Sequence, residues 1–195
     1  MSALKHPTLQ LHLRLAATAD LPEIMRLERA GFAAAIQETE TTFGERLAAA
    51  PQGCWVLDDG AGRLYGYICA EFWAYDAAAP AEKFARNHSA GALHRLDGEE
   101  IYISSMVVDP AARGSGWGRR LFRDAVAAMF ERHSSLRSAI LIVHPEWQAA
   151  RRIYHAEGFT RIGEVAGYFA AHETRLPAII MRRIGLSCAD ENRDL

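Results

Sequence analysis

The sequence predicts a single α/β domain: a mixed sheet with helices packed on it. First, short strand-like apolar runs recur between segments of helical period, in the order β-α-α-β-β-β-α-β-α-β-β. Second, hydrophobic residues make up 50 % and charged residues 24 % of the chain, an ordinary globular balance. Third, 195 residues suffice for one self-sufficient core; area scaling gives ~9,200 Å² of folded surface against ~31,300 Å² unfolded. The domain is expected to span 11–184, with terminal extensions at 1–10 and 185–195.

Leu11, Leu13 and Leu15 alternate with His12 and Arg14, the period-two pattern of a half-buried strand. Thr18 and Asp20 offer N-caps to a helix with Pro22 in its first turn and Ile24 and Leu27 on its apolar face. A second helix is expected over Phe43 to Ala50, capped by Thr41 or Thr42 and stopped by Pro51. CWVL at 54–57 and RLYGYICAEFWAY at 63–75 flank the turn-rich DDGAG, a hairpin signature. Asp76 to Gly98 shows little period beyond one turn around Glu82 to Arg86; connections this long are usually binding loops or lids. EEIYISSMVV at 99–108 predicts a strand, and Leu121, Phe122, Ala125, Ala128 and Met129 a helix running to about Arg132. AILIV at 139–143 predicts a strand buried on both faces. Trp147 to Glu157 reads as a helix stopped by Gly158, followed by strands near Thr160 to Val165 and Ile179 to Arg183.

Twenty-two basic residues against 24 acidic ones leave a net charge of −2, so no global field points to nucleic acid, and any anion must meet a local site. Cys54, Cys69 and Cys188 match neither a disulfide framework nor a CxxC pair, which favours a reducing compartment. Lys5, His6, His12 and Arg14 interrupt the N-terminus, so no signal-peptide core is expected there, and no run of 18 apolar residues suggests a membrane span. These features predict a cytoplasmic protein with neither nucleic acid nor membrane as partner.

Chemistry concentrates in VVDPAARGSGWGRR at 107–120. Gly114, Gly116 and Gly118 lack a Cβ, so the chain can bend sharply between strand and helix and bring its N–H groups against a ligand. The helix that follows offers unpaired donors and the positive end of its dipole, a cradle for pyrophosphate to which Arg113 and Arg119 add charge. A glycine-rich connector that binds nothing is the plain alternative; the strand ending VVDP before it and the amphipathic helix after it favour the cradle. A Walker loop would need G-K-[ST], and Arg119-Arg120 follow Gly118 instead. A dinucleotide fingerprint from Gly114 would need glycine where Arg119 stands.

Strand, R-x-x-G-x-G and helix resemble motif A of the GNAT superfamily of acyl-CoA-dependent N-acyltransferases. Ala150 to Phe159 (ARRIYHAEGF) is similar to the family's A-x-x-x-Y-x-x-x-G-F, and Tyr154 lies 41 positions after Arg113, as the family's order requires. The resemblance implies the GNAT fold, a mostly antiparallel mixed sheet with a splay between its fourth and fifth strands. It implies acetyl-CoA as cosubstrate, with Arg113, Gly114, Ser115, Gly116, Trp117, Gly118 and Arg119 holding the pyrophosphate. Backbone groups of Met106, Val107 and Val108 would pair with pantetheine, and Tyr154 would assist the departing sulfur. The partner would be a primary amine, small molecule or peptide N-terminus; a homodimer is compatible with it. There is some similarity to protein N-terminal acetyltransferases, but Ile142 stands where those carry a glutamate and Trp147 where they favour asparagine. Arylalkylamine acetyltransferases resemble it loosely, with Tyr102 and Ser104 in place of their histidines.

The position where many members place a base holds Tyr102, a weak base at neutral pH. Strand alternation puts Glu100, Tyr102 and Ser104 on one face, which makes Glu100 the candidate base, against the plain reading of a solvated strand-edge charge. Glu99 has the opposite parity. His88 and His94 are alternatives in the long connection, and no cysteine or carboxylate spacing around them supports a metal. Trp73, Tyr75, Phe84, Tyr168 and Phe169 are candidates for an acceptor pocket, with Glu71, Asp76 or Glu82 to neutralise an amine; core packing is the alternative for the strand aromatics. The rival to an enzyme is an acyl-CoA-binding regulatory module, in which Tyr102 and Ile142 reflect lost chemistry.

Overall fold

The computed structural model describes residues 10–171 and 174–185. Apart from Gln10 and Gly185, both expected terminal extensions lie outside the described residues, as does Cys188. The chain runs β1 (His12–Leu15), α1 (Leu21–Gly31), α2 (Glu40–Ala49), β2 (Cys54–Asp58), β3 (Leu64–Trp73), α3 (Ala90–Leu93), β4 (Glu100–Val108), α4 (Trp117–Arg132), β5 (Ser138–Val143), α5 (Gln148–Ala156), β6 (Thr160–Ala171) and β7 (Thr174–Ile184). The strands form one sheet in the order β1-β2-β3-β4-β5-β7-β6, antiparallel except for the β4–β5 pair.

Local chemistry sets most boundaries. Pro22 occupies the first turn of α1, where its missing N–H costs nothing. Asp20 is not the side-chain cap it was expected to be: its carboxylate accepts the Ala17 N–H and pairs with Arg14, fixing the entry to the helix. Helix α2 begins earlier than the apolar pattern predicts, because Thr39 rather than Thr41 or Thr42 is the cap; its Oγ1 accepts the Thr42 N–H at 3.1 Å. In the connection from β3 to β4 the chain makes a 3-10 turn at Ala81–Phe84 and then α3, where one turn was expected. Phe84 and Ala90 are buried and anchor those two turns, contacts that local periodicity does not register. The β6–β7 hairpin extends beyond the expected strands, since its outer part is held by mutual backbone pairing across a register shift between Val165 and Phe169.

Two irregularities of β4 create the site. Its parallel pairing with β5 covers Glu100↔Ser138 to Ile103↔Leu141 and stops there, although β4 continues to Val108 and β5 to Val143. This is the splay. Opposite β3 the register shifts, with Cys69 facing Ser105 and Ala70 facing Ile103, so Ser104 is the extra residue of a bulge. A bulge bends its strand and resets which side chains face which way. Ile101, Ile103, Met106 and Val108 therefore pack under α4 and α5, while Tyr102 and Val107 face the opposite side.

Candidate active site

The segment after β4 is built as its glycines predict. Asp109 Oδ1 accepts the Ala111 N–H at 2.9 Å and closes a 3-10 turn at Pro110–Ala112. Gly114 (φ 77°) and Gly116 (φ 83°) are left-handed, and a Cβ at either would meet no heavy atom within 4 Å. They border open space at the N-terminus of α4, where the first-turn N–H groups and the helix dipole attract an anion. Arg113 Nε donates to the Val108 carbonyl at 3.0 Å, and Arg119 Nε to Glu157 Oε1 at 2.7 Å, so both guanidinium groups are held at the rim of this turn.

A cleft of ≈ 440 Å³ runs from the turn along the splay. It is lined by Met106, Val108, Arg113, Gly114, Gly116, Gly118 and Arg119, and from α5 by Ala149, Ala150, Ile153 and Tyr154. Three cofactor candidates do not line it with side chains. Ser115 is exposed, the Trp117 ring lies under the Arg120 guanidinium at 5.0 Å, and Val107 points to the other face against Gly31. Tyr154 packs on Phe122 at 4.9 Å, and burial pushes its phenol up to about 12, so it keeps its proton throughout the neutral range and is a hydrogen-bond donor there.

On the opposite face a smaller cavity of ≈ 70 Å³ reaches the same gap. Ser104 and Ser105 of the bulge, Tyr102 and Ile142 form its floor, and Trp147, Tyr168 and Phe169 line one wall. Glu28, Phe32, Ile36 and Glu38 line another, with Ala85 and Arg86 contributed by the long connection. Met106 of the cleft follows Ser105 of the cavity directly in β4, and Trp147 of the cavity lies one turn before Ala150 of the cleft. The two spaces therefore meet across the splay. Burial raises the pKa of the Glu28 carboxyl against the opposing effects of hydrogen bonds from Tyr67 and the Glu38 backbone.

The structure does not bring Glu100 to this site. Glu100 opens β4 in the stretch still paired with β5, opposite Ser138 and short of the splay, and its carboxylate, 2 % exposed, is taken by Arg182 Nε at 2.8 Å and the Ser138 hydroxyl at 2.8 Å. It is neither a solvated edge charge nor a lining residue of either space. His88 Nε2 donates to Glu71 Oε1 at 2.9 Å, and His94 Nδ1 accepts the Phe72 N–H, so both histidines are engaged away from the cavity. Of the aromatic candidates Tyr168 and Phe169 line the cavity. Trp73 and Phe84 instead pack around Tyr102, at 3.9 and 5.6 Å between ring centroids, and Tyr75 lies between the guanidinium groups of Arg137 and Arg182. Glu71 is sealed in a buried network with Arg46, His88 and the Trp73 indole; Asp76 pairs with Lys83, and Glu82 is exposed.

Sequence reasoning missed Glu28, Phe32, Glu38, Ser105 and Trp147 as lining residues. One signal was present for Glu28: it shares the helix face of Ile24, Leu27 and Gly31, and a charge on a buried stripe requires a polar purpose.

Comparison with known proteins fits this arrangement. Residues 21–159 match the model of the acetyltransferase (GNAT) family, and the chain belongs to that family. Acyl transfer from an acyl-CoA is thus the chemistry of its class. No curated protein matches the chain. Among solved structures, a GNAT-like decarboxylase, GphF, in complex with isobutyryl-CoA has 20 % identity and a TM-score of 0.75, covering 89 % of this chain and 98 % of that one. The ribosomal-protein-S18-alanine N-acetyltransferase from Escherichia coli has 19 % identity and a TM-score of 0.67, covering 95 % and 99 %. A phosphinothricin acetyltransferase from Sinorhizobium meliloti in complex with acetyl-CoA has 20 % identity and a TM-score of 0.64, covering 89 % and 88 %. At these identities the likeness is one of fold. Among the described residues no helix is long and apolar enough to cross a membrane.

Proposed function

We propose that the protein is an N-acetyltransferase that moves the acetyl group of acetyl-CoA to a primary amine by direct attack. The observation that carries this reading is the meeting of two spaces at one splay: a cleft with a glycine turn at its end and Tyr154 on its wall, and an acidic, aromatic cavity behind it. In this reading the diphosphate rests on the turn from Arg113 to Arg119. Pantetheine extends along the free edge of β4 past Met106, Val107 and Val108, which places the thioester at the gap. A backbone N–H near Val108 polarises its carbonyl. The amine enters through the cavity and attacks the carbonyl carbon. Carbon–sulfur cleavage then releases the thiolate, which Tyr154 stabilises by hydrogen bonding while the proton of the attacking nitrogen passes to sulfur.

The buried, free Cys54 and Cys69 lie on β2 and β3, outside both spaces, so no thiol nucleophile is invoked. Acetyl-CoA binding and thiol release over a panel of amines (arylalkylamines, free amino acids and short peptides with free N-termini) test the reading. A saturable, acceptor-dependent rate is expected. A protein that acetyl-CoA stabilises but that releases no thiol with any amine is a binding module instead.

A further inference from the structure

We propose that Ser105, Tyr67 and Glu28 form a proton relay that carries the ammonium proton of the acceptor away from the splay, with Glu28 as its terminus. The proposal rests on the acetyltransferase reading and supplies the base that reading lacks, now that Glu100 is committed to Arg182.

Three elements build the relay. The bulge at Ser104 turns Ser105 onto the cavity face at the point where β4 leaves β5. The Ser105 hydroxyl and the fully buried Tyr67 hydroxyl are 2.8 Å apart. Tyr67 in turn donates to Glu28 Oε2, and the Glu38 N–H donates to Glu28 Oε1 at 2.9 Å. Tyr67 has one proton, and Glu28 takes its hydrogen bond. The hydroxyl of Ser105 must therefore donate to Tyr67, which leaves the Ser105 lone pairs facing the cavity. An ammonium there gives its proton to Ser105 Oγ, the Ser105 proton moves to Tyr67, and the Tyr67 proton moves to Glu28. With Glu28 protonated all three bonds reverse direction and none is lost. The free amine then attacks; Glu28 returns its proton to water after turnover, and the second nitrogen proton goes to the CoA sulfur.

The surroundings suit a proton acceptor. Tyr67 faces Glu28 from β3, Glu38 from the turn before α2 and Arg46 from α2; Tyr102, Arg86 and Tyr168 face it across the cavity. Burial raises the affinity of the Glu28 carboxyl for a proton, and Arg46 is already shared between Glu38 and Glu71. A carboxylate with more proton affinity than an exposed one suits general base work.

The test uses the full chain, acetyl-CoA and two acceptors: the best protonated amine of the panel, and hydroxylamine, which is neutral at the assay pH and needs no base. Glu28→Gln and Tyr67→Phe should each lower kcat for the protonated amine about 100-fold. Acetyl-CoA affinity should stay within about twofold, and the loss with hydroxylamine should be less than about tenfold. Glu28→Asp should recover part of the rate, and in Glu28→Gln the rate should rise with pH up to the acceptor's own pKa. Equal losses for both acceptors, a parallel loss of acetyl-CoA affinity, or wild-type turnover in Tyr67→Phe would each overturn the relay. Absence of acceptor-dependent release by the wild type would overturn the acetyltransferase reading, and the relay with it.

Discussion

The two faces of the splay are built on opposite plans. On the cleft side the parts come from two contiguous stretches, 106–119 and 149–154, and the interacting groups are main-chain N–H donors, glycines and one phenol. On the cavity side they come from α1, the segment before α2, the long connection, β4, β5, α5's entry and β6, and its polar groups are side chains: the hydroxyls of Ser104, Ser105, Tyr102 and Tyr168, the Arg86 guanidinium, and the carboxylates of Glu28 and Glu38, the latter paired with Arg46. The first plan suits a constant ligand held through backbone shape. The second makes a pocket whose polarity depends on distant segments being in place together, which suits a part that differs between enzymes sharing one cosubstrate.

That contrast predicts where each side breaks. The largest effect is expected for Arg46→Met. Arg46 is fully buried and pairs with Glu38 and Glu71, and its removal leaves Glu38 without its ion-pair partner and Glu71 with only His88 and the Trp73 indole. Breaking a buried ion pair of this kind costs roughly 3–5 kcal/mol, to be read from urea unfolding. Gly116→Val should attack the other side alone. Its positive φ strains any other residue, and the new side chain points into the open turn. Acetyl-CoA at about 100 times Kd should stabilise the wild type by ~2.7 kcal/mol and the variant not at all. An unchanged acetyl-CoA affinity would refute the cradle. Tyr154→Phe should reduce kcat on the order of 10- to 100-fold with acetyl-CoA binding preserved, since the lost hydroxyl acts on the departing sulfur; equal activity would remove the tyrosine from the mechanism.

The smallest effect is one of pH. Burial disfavours the charge on His88, but the hydrogen bond and attraction of Glu71 outweigh it, and the pKa lies above the usual 6.5. Its contribution to stability is complete below 6.5 and is lost as pH rises through the folded-state value. Glu71 is likewise opposed by burial and then lowered by His88 and Arg46, so its contribution is present above 4.5 and is lost as pH falls through its own folded-state value. The tie between the long connection and β3 should be strongest between these limits. Unfolding free energies on either side of neutrality should show a decline towards alkaline pH in the wild type that His88→Asn lacks.

The legibility of the two sides in the sequence follows the same division. Val107 to Arg120 reads as a strand, a glycine turn and a helix because each step is a local backbone requirement, and the structure puts a left-handed Gly114 and Gly116 there. Tyr154 was reached through the resemblance of ARRIYHAEGF to the family's second motif, and it lines the cleft. That Glu100 stays out of the site could not be read locally, since its partner Arg182 lies 82 residues away on β7 and nothing in EEIYISSMVV marks that pairing or the point where β4 leaves β5. The two anchored turns of the long connection depended in the same way on contacts made elsewhere, through buried Phe84 and Ala90.

The sequence by itself determined the order of elements and the glycine turn before α4, because glycine conformation, helix polarity and hydrophobic period act over a few residues. Only the tertiary structure decided which carboxylates line the cavity and which are neutralised within the core. A charge has no fixed range along the chain, and Arg182 meets Glu100 across 82 residues as readily as Tyr67 meets Glu28 across 39.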